Sequence, residues 1–149
     1  AAASRRGQPM QRGVVAVVPR GNQLLVIRRS QYVKAPGAFC FPGGAVEEGE
    51  TEDEALCREL REELGCDVVP REWLWRSVTS WQVELSWWLA DLPSRAVLLP
   101  NPAEVESVHW FTVEELWELP QLLSSNREFL ARWQARSVAA IRGESETVD

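Results

Sequence analysis

The chain has 149 residues, 45% of them hydrophobic and 26% charged, with a formal net charge of −6 at neutral pH. That length carries one domain with a full core, and the acidic balance argues against a protein that tracks nucleic acid along a basic surface. No apolar run approaches the roughly 20 residues of a membrane span, and three cysteines without C-x-x-C spacing argue against a disulfide framework or a zinc site and fit a reducing cytoplasm.

Residues 1–12 begin AAASRRGQP, lack the hydrophobic core of a signal peptide and are expected to form a flexible tail. A domain is expected over 13–142, followed by a frayed polar end over 143–149. Residues 14–18 are a β-branched run closed by Pro19-Arg20-Gly21-Asn22, and 24–27 form a second apolar run. The turn residues between them predict a hairpin. Arg28, Arg29 and Lys34 follow, in a loop with Tyr32, Pro36 and Gly37, and 39–41 read as a brief strand entering Gly43-Gly44.

Thr51-Glu52-Asp53-Glu54 is a capping box and starts a helix. Leu56, Leu60 and Leu64 recur every four residues as its apolar stripe, and Gly65 suits a left-handed helix end. Residues 73–78, reached from Val68 and Val69 through Pro70, predict a strand, as do 80–89 and 105–111. Pro93 and Pro100-Asn101-Pro102 mark breaks. Thr112-Val113-Glu114-Glu115 is a second capping box, opening a short helix stopped by Pro120. Ser125-Asn126-Arg127-Glu128 is a third. It opens a longer helix to about Ile141, with Phe129, Leu130, Trp133 and Val138 toward the core. No internal repeat is found.

Glu59, Glu62 and Glu63 carry the chemistry. Offsets of three and four residues place them on one side of the first helix. Like charges there repel unless a positive group sits on them, and a divalent cation bound by carboxylate oxygens answers that need. The bland alternative is a solvated helix laced with ion pairs such as Glu54–Arg58 and Arg58–Glu62, each worth a few tenths of a kcal/mol. That alternative leaves the Gly43-Gly44 lead-in and the spacing to Glu50 unexplained.

The stretch 44–66, GAVEEGETEDEALCRELREELGC, resembles the Nudix box of the Nudix hydrolase family. Gly44, Glu50, Arg58, Glu59, Glu62, Glu63 and Gly65 fill its fixed positions. Cys66 stands where an aliphatic residue is usual, and a thiol behaves as a small hydrophobe. Phe41-Pro42-Gly43-Gly44 resembles the usual lead-in, and the likeness extends over about residues 13–119. It implies an α/β fold, an α/β/α sandwich with a mixed central sheet. It also implies hydrolysis of a nucleoside diphosphate linked to another moiety, with Mg²⁺ or Mn²⁺ as cofactor.

By resemblance, Glu59, Glu62, Glu63 and the Gly43 carbonyl are the metal ligands, while Gly44, Glu50 and Arg58 brace the box, the last two as an ion pair. The general base is Glu62 or Glu63 of the box, or Glu104 before the last strand, with Glu106 in reserve. Arg28 and Arg29, with Lys34, are candidates for substrate phosphates. His109, the only histidine, is assigned a structural or surface role. Trp87, Trp88 and Trp110, among eight tryptophans, are assigned to packing in preference to stacking a nucleobase. The expected partner is a small nucleotide, with no stable nucleic-acid or membrane partner, and a homodimer stays open.

The motif arrays of NADH pyrophosphatases, ADP-ribose hydrolases, diadenosine polyphosphate hydrolases and one oxidised-purine nucleotide hydrolase are not found. Their absence leans toward a MutT-like nucleoside triphosphate pyrophosphohydrolase or a generalist. A non-catalytic nucleotide-sugar sensor and an isopentenyl diphosphate isomerase-like enzyme are the rival readings. The intact box argues against both.

Overall fold

The computed structural model describes residues 10–141, with side chains through 134. In chain order the elements are β1 (Gln11–Val17), β2 (Pro19–Arg20), β3 (Gln23–Arg29), β4 (Phe39–Cys40), β5 (Gly43–Ala45), α1 (Glu52–Leu64), β6 (Val69–Val78), β7 (Val83–Asp91), β8 (Val105–Thr112), α2 (Val113–Trp117) and α3 (Ser124–Ile141). They form two compact units, Ala1–Val18 with Pro42–Asn101 and Pro19–Phe41 with Pro102–Asp149. β1 starts at Gln11, so Gln11 and Arg12 belong to a strand and not to the expected tail. Residues 1–9 of that tail, the 143–149 end and the side chain of Val138 lie outside the described residues.

The first unit holds a mixed sheet in the order β5-β1-β7-β6. β1 runs antiparallel to β5 and parallel to β7, with Val15 opposite both Gly43 and Trp87. β6 lies at the edge, where Pro70 can lack an N–H without breaking a central ladder. α1 packs on β5, β1 and β6. Its leucine stripe is as predicted: Leu56, Leu60 and Leu64 are all fully buried. Burying each such side chain contributes roughly 1.5–3 kcal/mol.

Both helix ends are closed by local chemistry. Thr51 Oγ1 accepts the Glu54 N–H (3.3 Å) and Glu54 Oε1 accepts the Thr51 N–H (2.9 Å). At the other end Gly65 adopts φ 60°, and its N–H reaches the Arg61 carbonyl. The Leu99 and Asn101 N–H groups donate to the Leu64 and Glu63 carbonyls (2.7 and 2.8 Å), satisfying acceptors a helix leaves orphaned. Cys66 is buried with its Sγ 3.9 Å from the Leu60 carbonyl, and burial pushes its thiol up to about 11. It serves as a small apolar side chain, as expected.

The second unit pairs β2-β3-β4, with β8 antiparallel to β3. The predicted hairpin forms one strand later than expected. β2 pairs with β3 across Gly21-Asn22, while β1 joins the other sheet. Pro19 cannot donate, which ends the β1 ladder before the turn. The Thr112 capping box forms as predicted and opens α2. α3 starts at Ser124, so Ser125 lies inside the helix and does not cap it. Asn126, read as part of that box, is buried and accepts the Phe41 N–H through Oδ1 (2.9 Å). Phe129 and Leu130 are buried as expected.

Candidate functional site

Gly43 and Gly44 are glycines because the chain passes too close to itself for a side chain. A Cβ on Gly43 would fall on the Val14 carbonyl oxygen and lie 2.9 Å from Val15 Cα. A Cβ on Gly44 would land on the Glu59 carboxylate, 2.6 Å from Oε1. Neither glycine has positive φ. The close approach is therefore to β1 and to Glu59.

α1 aims its glutamates unequally. Glu59 and Glu63 are 8% and 7% exposed, whereas the Glu62 side chain is 50% exposed. Glu63 Oε1 accepts the Gly43 N–H (2.9 Å), tying the helix to β5. Arg58 gathers the rest. Its Nε and Nη2 take both oxygens of Glu50 (2.6 and 2.9 Å), and Nη2 also donates to the Ala45 carbonyl (2.8 Å). Its Nη1 reaches Glu59 Oε1 (3.0 Å) and Glu62 Oε1 (3.2 Å). One guanidinium thus offsets the repulsion among carboxylates that the spacing predicted. Its own pKa is raised, first by the hydrogen bond to Glu50.

That same hydrogen bond, helped by the Glu47 N–H, holds the Glu50 carboxyl down to about 2 from an ordinary 4.5. A depressed carboxyl stabilises the fold above its unfolded value, and the contribution is lost as pH falls through the folded one. Urea unfolding should therefore show wild type more stable than Glu50→Gln at pH 7, with the gap closing between pH 4.5 and 2. A gap that stays constant over that range would rule out the ion pair as its source.

Among the described residues, no three His, Cys, Asp or Glu side chains are grouped so as to hold a metal ion. The donors nevertheless suit one. Carboxylate oxygens are what hard divalent cations prefer, and Gly44 leaves open the space that the Glu59 carboxylate fills.

Of the other predicted residues, Arg28, Arg29, Lys34, Glu104, Glu106, His109 and Trp110 lie in the second unit, and Trp87 and Trp88 in the first. Arg28 Nε donates to the Gly37 carbonyl (3.1 Å) and pairs with Glu106 (3.3 Å), while Arg29 Nε donates to the Lys34 carbonyl (2.6 Å). Both arginines brace the loop that separates β3 from β4. The Glu104 carbonyl accepts the Ser30 N–H (3.0 Å), fixing the entry to β8. His109 stacks on Phe111 (5.1 Å between centroids), and its Nε2 lies 2.7 Å from Ser107 Oγ. Burial, then the Arg28 charge, lowers its pKa. Trp87 is fully buried with Nε1 on Ser77 Oγ (3.0 Å), and Trp110 lies under the Arg20 guanidinium (4.3 Å).

Sequence reasoning missed one cluster. The sequence offers Glu52 only as the second residue of a capping box. Its carboxylate also takes hydrogen bonds from Arg12, Arg76, Ser86 and Trp88. No local spacing links those positions, so no signal in the sequence could have found it.

The profile of the NUDIX domain family matches residues 9–133. The chain belongs to the Nudix hydrolase family. Two relatives named NAD-capped RNA hydrolase NudC are similar to it. One from Stutzerimonas stutzeri (strain A1501) is 31% identical over 125 residues, covering 83% of this chain and 44% of the relative. One from Deinococcus radiodurans is 32% identical, covering 78% and 42%. The Nudix chain thus spans less than half the length of these relatives. Among solved structures, a MutT protein from Methanosarcina mazei Go1 matches with TM-score 0.75 at 22% identity, covering 88% of this chain and 97% of that one. The E. coli ORF135 protein matches with TM-score 0.73 at 25% identity, covering 90% and 95%. The expected Nudix-type α/β fold with a mixed sheet is therefore met. No described helix is long and apolar enough to cross a membrane, which says nothing about strands.

Proposed function

We propose that this chain hydrolyses the pyrophosphate linkage of a nucleoside diphosphate joined to another moiety, using Mg²⁺ or Mn²⁺. The observation that carries the reading is the seat of Glu59. Its carboxylate lies where a Gly44 side chain would be, and Arg58 joins it to Glu50 and Glu62. An acidic cluster built so closely against a backbone, in a member of this family, is a site for hard cations and not a solvated helix face. Glu59, Glu62, Glu63 and the Gly43 carbonyl would hold the metal. When bound, it would neutralise diphosphate oxygens and make a water easier to deprotonate.

The chain's own residues supply the rest. Water adds to one phosphorus and the bridging P–O bond breaks. The water's proton passes to a carboxylate: Glu62, half exposed at the helix surface, or Glu63, with Glu104 kept as the candidate that the family resemblance implies. Glu50 and Arg58 keep the box loop on the helix. Arg28 and Arg29, anchored by the carbonyls they bind, remain the candidates for substrate phosphates.

The relatives' names bring NAD-type dinucleotides into consideration beside the triphosphates that the missing motif arrays favoured. Phosphate-linkage cleavage should be followed over NAD, NADH, NAD-capped RNA, ADP-ribose, diadenosine polyphosphates, nucleotide sugars, and common and oxidised dNTPs. Turnover of at least one of them with Mg²⁺ or Mn²⁺, abolished by chelator, is the expected result. No turnover of any of them with either metal contradicts the reading.

A further inference from the structure

Glu52 opens α1, and of the three acidic residues in its first turn it is the one whose carboxylate is bonded to strand residues. Its Oε2 accepts from Arg12 Nη2 (2.9 Å) on β1, from Ser86 Oγ (2.9 Å) on β7 and from Arg76 Nη2 (3.4 Å) on β6. Its Oε1 accepts from Trp88 Nε1 (3.0 Å) on β7. The side chain is 14% exposed. Burial alone would push its carboxyl up, but the Trp88, Arg12 and Ser86 hydrogen bonds and the Arg76 charge together hold it below the usual range. A carboxylate with donors from three strands has few rotamers left to it.

Helical geometry gives that anchor a consequence. Glu59 and Glu63 lie seven and eleven residues on, or about two and about three turns along the helix. Glu52, Glu59 and Glu63 therefore share one longitudinal stripe. A rotation of α1 about its axis, or a slide along it, moves all three together. The stripe's far end is held by the Gly43 N–H on Glu63, and its near end by the four donors on Glu52.

We infer that Glu52 is a positioning residue: its four-donor clamp to β1, β6 and β7 sets the rotation of α1 and so the placement of the box carboxylates against Gly43 and Gly44. The inference rests on the metal-dependent hydrolase reading. A site held a fraction of an ångström too loosely loses function while the fold persists.

Mn²⁺ binding, followed by loss of the free-ion electron paramagnetic resonance signal, tests this without an activity assay. Wild type, Glu52→Ala, Glu52→Gln and Trp88→Phe are compared with Leu130→Ala, a core truncation in the other unit that serves as a destabilised control. Glu52→Ala should weaken Mn²⁺ binding about tenfold, the low end for supporting groups around a metal site. Glu52→Gln and Trp88→Phe, which each keep part of the clamp, should weaken it less but measurably. Leu130→Ala should bind as wild type does despite a lower Tm. If Glu52→Ala does not fold, the Gln and Phe variants decide the matter. Wild-type affinity in the Glu52 and Trp88 variants that fold, or equal weakening in Leu130→Ala, overturns the positioning role alone. Failure of wild type itself to bind Mn²⁺ overturns the hydrolase reading and this inference with it.

Discussion

Replacing Glu62 by glutamine should lower kcat/KM by roughly 10²- to 10⁴-fold, the span for losing a positioned proton-transfer group, with little change in fold. The two effects separate because of where Glu62 sits. Its side chain is half exposed and meets Arg58 Nη1 at 3.2 Å. Rim pairs of this kind are worth about 1 kcal/mol or less, so the unfolding midpoint should scarcely move. Glu59→Gln should also lose turnover, but with a larger stability cost, since Glu59 is buried and takes Arg58 Nη1 at 3.0 Å. Steady-state rates beside urea midpoints check both. A Glu62→Gln variant at wild-type rate would remove that residue from the chemistry.

Gly44→Ala should do comparable damage by a different route. The new methyl would occupy the space of the Glu59 carboxylate, so either β5 shifts away from α1 or Glu59 leaves its seat. Overpacking of this kind costs about 1–3 kcal/mol, and displacement of Glu59 should take most of the activity with it. Backbone strain contributes nothing, because Gly44 lacks a positive φ. The cause can be isolated by a double-mutant cycle. In a Glu59→Ala background the clash partner is gone, and Gly44→Ala should become nearly neutral for stability while activity stays lost. Additive costs would mean that Gly44 is needed for some reason other than Glu59.

Much of this site was legible because it is local. Thr51 with Glu54, the Leu56–Leu60–Leu64 stripe and Gly65 are readable from offsets of three and four, and each does what its spacing implies. The ion pair of Glu50 with Arg58 followed from the resemblance. What stayed hidden depends on pairing across long stretches of chain. Nothing in residues 14–18 announces that β1 joins β7 in parallel and not β3 in a hairpin. The spacing brought Glu59, Glu62 and Glu63 to one side but could not say which would be buried. That is decided by Gly43 and Gly44 on a strand, where their approach to β1 and Glu59 requires tertiary structure. In sequence Arg28 and Arg29 stand as candidates for substrate phosphates, and nothing there shows that they bind carbonyls of the loop that follows them. Glu52 draws donors from residues 24 to 40 positions away, beyond the reach of any periodicity.

The most direct test titrates Mn²⁺ into the wild-type chain and into Glu59→Gln and Glu62→Gln while recording the free-ion resonance. Saturable uptake by wild type, weakened in each variant, is the outcome expected of carboxylates assembled to grip a hard cation. A wild-type chain that leaves the signal of added manganese undiminished would contradict it.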